Sequence, residues 1–346
     1  MPRILRHIVI TLLCFSAAAA ASAQTDALLS QAYAVPTYYN PGFAGSTDML
    51  RIRAAGRLQW IGIDHAPKTF LGTADMPLTL FGKKFGVGAV ISQESYGLYS
   101  TLQMGAQGAF KFKKFGGTWC VGIQLGMFDQ GFRGSEVILP DDDDFHEGND
   151  DAIPTTDVHG TAFDMAAGLS YSHKYFTAGI ACSHLMSPTV TLRTDTGGSS
   201  GSGGISRAAE SGDGGSVASG ENEFIYEAKR TLYFQAEGNI PIRNTLFDIM
   251  PSVLVASDFT NTSAVILARA RYRKFLSFGV GYRWNDAVVA TVAAEFKNFF
   301  AGYSFDYSTS SIAKASSGSH ELFIGYSLRI DTGDKNKNKH KSIRIM

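Results

Sequence analysis

The sequence predicts an all-β fold, an outer-membrane antiparallel β-barrel of about 14 strands, and three observations predict it. The first is alternation. In the stretch from Leu50 to Trp60, Leu50, Ile52, Ala54, Gly56, Leu58 and Trp60 share one face, while Arg51, Arg53, Ala55, Arg57 and Gln59 share the other. The second is strand length: the candidates run to about ten residues, as a tilted strand crossing a bilayer requires, against about 5–6 in soluble domains. The third is that the connections sort by parity into tight basic turns and longer excursions, which gives the barrel two unlike ends.

The chain opens with Arg3, Arg6 and His7 ahead of an apolar run from Ile8 to Ala21, closed by Ala21-Ser22-Ala23. That is the pattern of a secretory leader, so residues 1–23 read as a signal peptide cut before Gln24. The run is at the short end for a spanning helix, and Cys14 lacks the small preceding residue of a lipid-modified cysteine. Beyond the leader no stretch reaches the about 20 apolar residues of a membrane helix. Charged residues are nevertheless only 18%, with 37 Gly, 24 Phe and 14 Tyr. A chain of this composition enters a membrane as strands. The formal net charge is +0, which leaves no charge argument for nucleic acid.

Residues 24–48 read as a periplasmic lead-in or plug, because Pro36 and Pro41 restrict the backbone while Gly42 and Gly45 permit turns. The barrel spans 49–330, with strands expected at 49–61, 68–78, 84–93, 99–112, 117–128, 161–172, 174–185, 227–240, 250–258, 263–273, 275–283, 286–297, 299–308 and 319–330. Tight links such as Phe81-Gly82-Lys83-Lys84, His173-Lys174 and Lys297-Asn298 follow even-numbered strands, and the long loops 129–160 and 186–226 follow odd-numbered ones. Long loops mark the outside and place both termini in the periplasm. The Ser/Gly-rich stretch 187–223 has too little apolar area to order itself, and the basic tail 331–346 reads as a solvated extension.

A lipid-facing arginine near the midplane costs about 2–4 kcal/mol, so three on one face would offset most of a folding margin. Arg51, Arg53 and Arg57 must face the lumen, where Gln59, Arg269, Arg271, Glu237 and Glu295 join them in a polar cluster, with Asp75 and Asp164 as further ion-pair candidates. Both structural packing and a ligand site are open to this set. Aromatic residues gather near strand ends, where rings with a polar tip settle among lipid headgroups.

Several motifs together resemble one family, the PorP/SprF outer-membrane proteins of type IX secretion and gliding motility in Bacteroidetes. They include Tyr39-Asn40-Pro41-Gly42-Phe43-Ala44-Gly45, Arg57-Leu58-Gln59-Trp60, Ala66-Pro67-Lys68-Thr69 and Asp75-Met76-Pro77-Leu78. Later come Ser183-His184-Leu185, Phe305-Asp306-Tyr307 and Ser319-His320-Glu321. The resemblance implies a barrel similar to the fatty-acid transporters, without catalysis. It implies work beside periplasmic or outer-membrane components of the secretion system, or as anchor of a secreted adhesin at the cell surface. The insertion at 187–223 and the tail after Ile330 depart from the family pattern.

Asp141, Asp142, Asp143 and Asp144 form an acidic outer loop, a candidate partner-binding loop that could hold Ca²⁺, although its spacing is not that of a calcium-binding hand. No cofactor is expected. Cys120 and Cys182 allow either a disulfide or two buried thiols. Ser319-His320-Glu321 invites a triad, but strand neighbours alternate faces, so a lipid hydrolase has little support. The functional expectation is a non-enzymatic protein-binding barrel in the lipid bilayer, against the alternative of a channel or transporter for small solutes.

Overall fold

The computed structural model describes residues 26–137, 156–193 and 223–330. Fourteen strands build the wall: β1 (Met49–Leu58), β2 (Lys68–Leu80), β3 (Lys83–Tyr96), β4 (Tyr99–Lys114), β5 (Gly117–Arg133), β6 (Asp157–Ser172), β7 (Phe176–Ser183), β8 (Thr231–Gly238), β9 (Phe247–Ser257), β10 (Thr262–Tyr272), β11 (Leu276–Arg283), β12 (Ala287–Phe296), β13 (Phe299–Ser308) and β14 (Ser319–Arg329). Each pairs antiparallel with the next, a two-residue extension at Ile240–Pro241 adds to β9, and β14 returns to β1. Closure leaves no strand edge unpaired, the condition for backbone in hydrocarbon.

The alternation sorts as expected. Ile52, Phe70, Ile91, Val121, Ile123, Ile180, Ile266, Val280, Leu322 and Ile324 are exposed on the outer surface, while Arg57, Thr73, Asp75, Gln107, Arg269 and Glu321 are buried inside. Cys120 and Cys182 are both free, on opposite faces by the strand alternation.

At the end where β1 begins, called here the near end, the links are tight. Phe81-Gly82, Phe115-Gly116 and Arg273-Lys274 each put two residues at positive φ, the backbone of primed hairpin turns that match strand twist. Cations lie over rings in these turns: Lys114 over Phe115, Lys174 over Tyr175, Arg273 over Tyr272 and Lys297 over Phe296, at 5.0, 5.3, 5.6 and 5.4 Å from the ring centroids.

Most strand ends shift by a few residues from the sequence reading, and three of the shifts reshape the long loops. β5 and β6 run on to Arg133 and back to Asp157, shortening the first long loop at both ends. The eighth strand starts at Thr231 rather than 227, because Glu223–Glu227 pairs with Thr189–Arg193 in a separate hairpin. That hairpin orders part of the stretch expected to lack order, since Val190 and Leu192 bury against Phe128 and Val158 at the far end. The leader, the acidic run 141–144, the Gly/Ser core of the insertion and the tail lie outside the described residues.

Residues 26–47 run through the lumen from the far end to the near end, in short helical turns at Ala32–Ala34, Pro36–Tyr39 and Pro41–Phe43. Pro36 and Pro41 each open a turn, where a missing N–H costs nothing. Asn40 caps the last turn by accepting from the Gly42 N–H at 2.7 Å, and its amide donates to the carbonyls of Leu169 and Ile180 at 3.2 and 3.3 Å. The wall beneath is flat: Gly86, Ala109, Gly122, Gly168 and Ala181 stand side by side across β3 to β7. A methyl at Gly86 would overlap the Ala44 carbonyl, and one at Gly122 the Pro41 carbonyl.

Gly122→Val should therefore unseat the inner segment and lower stability in urea by about 1–3 kcal/mol, the usual cost of overpacking. Gly108→Val, which meets nothing within 4 Å, should leave the unfolding midpoint where it is.

Candidate functional site in the lumen

Barrel closure sets the first polar cluster. The register of β1 against β14 puts Arg57 directly opposite Glu321, and Asp306 arrives from β13 one strand further on. Arg57 donates to Glu321 and, at 2.7 Å, to Asp306. Arg283, from the far end of β11, reaches Asp306 at 3.0 Å and Glu321 at 3.7 Å. The inner segment completes the set: the Ser30 N–H donates to both Glu321 oxygens at 2.9 Å, and its hydroxyl donates to Asp306 at 2.8 Å. Arg283 donates to the Ser30 hydroxyl and the Leu28 carbonyl, both at 2.7 Å. Two guanidiniums thus balance two carboxylates at sites where Arg57 is 2% and Glu321 1% exposed. At such burial, attraction repays desolvation best when the remaining carboxylate lone pairs are bonded, and Ser30 and Ser304 donate to them.

A second cluster fastens the near end. Arg51 donates to both oxygens of Asp75, at 3.1 and 2.9 Å, and Asp75 also accepts the Gly45 N–H at 2.9 Å. On the opposite wall Arg269 pairs with Glu237 and lies on the face of Tyr33, 3.2 Å from the ring centroid, while Arg271 meets Asp248 at 2.8 Å. A cavity of 360 Å³ remains between this wall and the inner segment, lined by Tyr33, Phe43, Arg51, Gln235, Glu237 and Leu254 among others.

The third cluster sits at the far end, around His184, which follows the last residue of β7, and Asp26, which begins the inner segment. His184 bonds Asp164 at 2.8 Å and Asp26 at 3.2 Å, and Asp26 also accepts from Tyr233 at 2.6 Å and Gln103 at 3.1 Å. Burial alone would lower the His184 pKa, but the Asp26 charge and the bonds to Asp164 and Asp26 outweigh it and raise it from 6.5 to about 10. Burial likewise works to raise Asp26, and the His184 charge with three side-chain hydrogen bonds brings it down to about 2.

The sequence-predicted set is thus divided among stations rather than gathered in one. Arg53 makes no ion pair among the described residues; it donates to the Ser327 hydroxyl at 3.0 Å and lies over Phe300. Gln59 accepts from Arg57 at 3.4 Å. Glu295 is exposed one residue from the near end of β12 and joins no ion pair among the described residues. Among the family-motif residues, Asn40, Pro41 and Gly45 seat the inner segment, Pro77 stands opposite Gly86, and Pro67 accepts from the Gln59 N–H at 2.9 Å. The Trp60 N–H donates to the Ser319 hydroxyl at 3.0 Å. His320 faces outward to the Tyr303 hydroxyl at 2.6 Å, away from Ser319 and Glu321. Sequence reasoning missed Arg283, Asp306, Asp248, Asp26 and His184 as members of the network. Asp306 carried a signal, since it stands between outward Phe305 and Tyr307.

An apolar outer belt around an ion-paired interior defines a membrane-spanning β-barrel of the outer-membrane kind. The family model described as type IX secretion system membrane protein PorP/SprF matches residues 21–326, and the chain belongs to that family. No curated protein matches it. Among solved structures the chain is similar to a Pseudomonas aeruginosa FadL homologue, at 9% identity over 84% of this chain and 92% of that one, TM-score 0.44. It is also similar to the CymD monoaromatic hydrocarbon channel, at 11% identity over 86% and 93%, TM-score 0.49. The Pseudomonas putida toluene transporter TodX aligns at 12% identity over 89% and 95%, TM-score 0.47.

Arg57→Leu leaves two buried carboxylates to the single guanidinium of Arg283 and should cost about 3–5 kcal/mol in equilibrium urea unfolding, most of it recovered in R57L/E321Q, which keeps Arg283 paired with Asp306. The His184 pairing should show in the pH dependence. Its folded pKa lies above the unfolded 6.5, so its contribution is complete below pH 6.5 and is lost as pH rises through about 10. The urea midpoint should fall across that window in the wild type, and more weakly in His184→Gln.

Proposed function

We propose that the chain is a non-enzymatic outer-membrane scaffold of the type IX secretion system, whose rims bind protein and whose lumen is closed by its own residues 26–47. The partner is a periplasmic ring or motor component, or a secreted adhesin retained at the cell surface. One observation carries this reading: the inner segment is fastened at both ends and along its length by Asp26, Ser30, Asn40 and Gly45. A solute path would have to break buried ion pairs, so the lumen favours holding a shape over passing cargo. With tight turns at the near end and long connections at the far end, the near end faces the periplasm and residues 1–23 direct export. The lumen cavity of 360 Å³ favours the second reading, a channel or transporter for small solutes.

Two measurements separate them. Purified protein in planar bilayers should show no steady conductance, and a tagged copy crosslinked in native membranes should retain a secretion-system component or an exported adhesin. Steady conductance in the wild type, or unchanged protein export and adhesin retention after deletion, would defeat the scaffold reading.

A further inference from the structure

At the near end the hairpin tips of β4–β5 and β6–β7 stand side by side and enclose a cleft of 490 Å³ lined by Lys113, Lys114, Gly116, Thr118, His173 and Lys174. Thr118 and Ser172 pair across β5 and β6 at its floor. None of the three lysines has an ion-pair partner among the described residues, whereas the lumen arginines Arg51, Arg57, Arg269, Arg271 and Arg283 are all paired. A concave site with three uncompensated cations, two hydroxyls and no carboxylate is built for an anion.

The surroundings say which anion. On the outer wall just beyond the cleft, Trp119 and Tyr171 pack together with ring centroids 4.8 Å apart and planes tilted by 50°, as rings of the aromatic belt of a membrane interface do. Phe115, Tyr175 and Phe176 are exposed beside the lysines, and Lys114 and Lys174 ride on the first two of these rings. The same cation-over-ring arrangement recurs at Tyr272 with Arg273 and at Phe296 with Lys297, on the far side of the barrel from the cleft. A protein partner covers one arc of a rim, whereas a lipid leaflet meets the whole circumference. We infer that this cleft binds the headgroup of an anionic glycerophospholipid in the leaflet at the near end, its phosphate among Lys113, Lys114 and Lys174 and its acyl chains descending past Trp119 and Tyr171. The site is independent of the scaffold reading, since it requires only that the barrel sit in a bilayer.

The test uses the full chain in nanodiscs of mixed phosphatidylglycerol and phosphatidylcholine, with native mass spectrometry counting the lipids that remain bound. The wild type should retain phosphatidylglycerol in preference to phosphatidylcholine, the preference weakening as salt rises. K113Q/K114Q/K174Q should lose that preference on the order of a hundredfold, each of the three lysines near an anionic surface contributing about 1 kcal/mol. Because the three side chains are exposed at the hairpin tips, the variant should keep its heat-modifiable gel mobility; K113R/K114R/K174R, which keeps the charge, should keep the preference and guards against misfolding. Added inorganic phosphate that displaces the lipid at millimolar levels would mark a site for free phosphate rather than headgroup and overturn the inference. Equal retention of the two lipids by the wild type would overturn it as well, as would a triple-glutamine variant that keeps its lipid preference but loses an acidic protein partner.

Discussion

A buried arginine that must be neutralised governs this molecule. Arg57 is buried, where a guanidinium is tolerable only with carboxylates in contact and their remaining lone pairs bonded. The first strand supplies the cation and the last two strands supply Glu321 and Asp306, so the charge balance exists only when the barrel is shut. Ser30 then bonds both carboxylates and Arg283 at once. Wall and filling are therefore one electrostatic object.

The filling fits because the wall gives way beneath it. A row of glycine and alanine across β3 to β7 lets the Asn40-Pro41-Gly42-Phe43-Ala44 turn lie on the backbone, with Asn40 bonding wall carbonyls as well as capping its own turn. The inward residues on the other side of the barrel are large and charged, so the lumen is asymmetric: flat where the segment is seated, ion-paired where it is gripped.

Strand number, strand faces and the parity of the links were legible in the sequence because each follows from a period of two or from turn chemistry. The inward position of Arg51, Arg53 and Arg57 followed from the cost of charge in lipid. What alternation alone does not supply is height and neighbourhood. Asp75 and Glu237 were recognisable as partners in general, yet the pairing of Arg57 with Glu321 requires the closing register of β1 on β14, and Asp164 went to His184 instead of to an arginine. The hairpin at 189–193 and 223–227 was hidden because its two halves are far apart in sequence and each is short.

The lumen segment also imposes an order on assembly. Its second half, around Asn40, rests on β6 and β7, whereas Ser30 finds its partners on β11, β13 and β14, which the chain makes much later. The first half of the segment is thus the last piece to lock. A cylinder missing its last strand leaves the Ser30 N–H without the Glu321 carboxylate, so the serine acts as an internal witness that the wall has been finished.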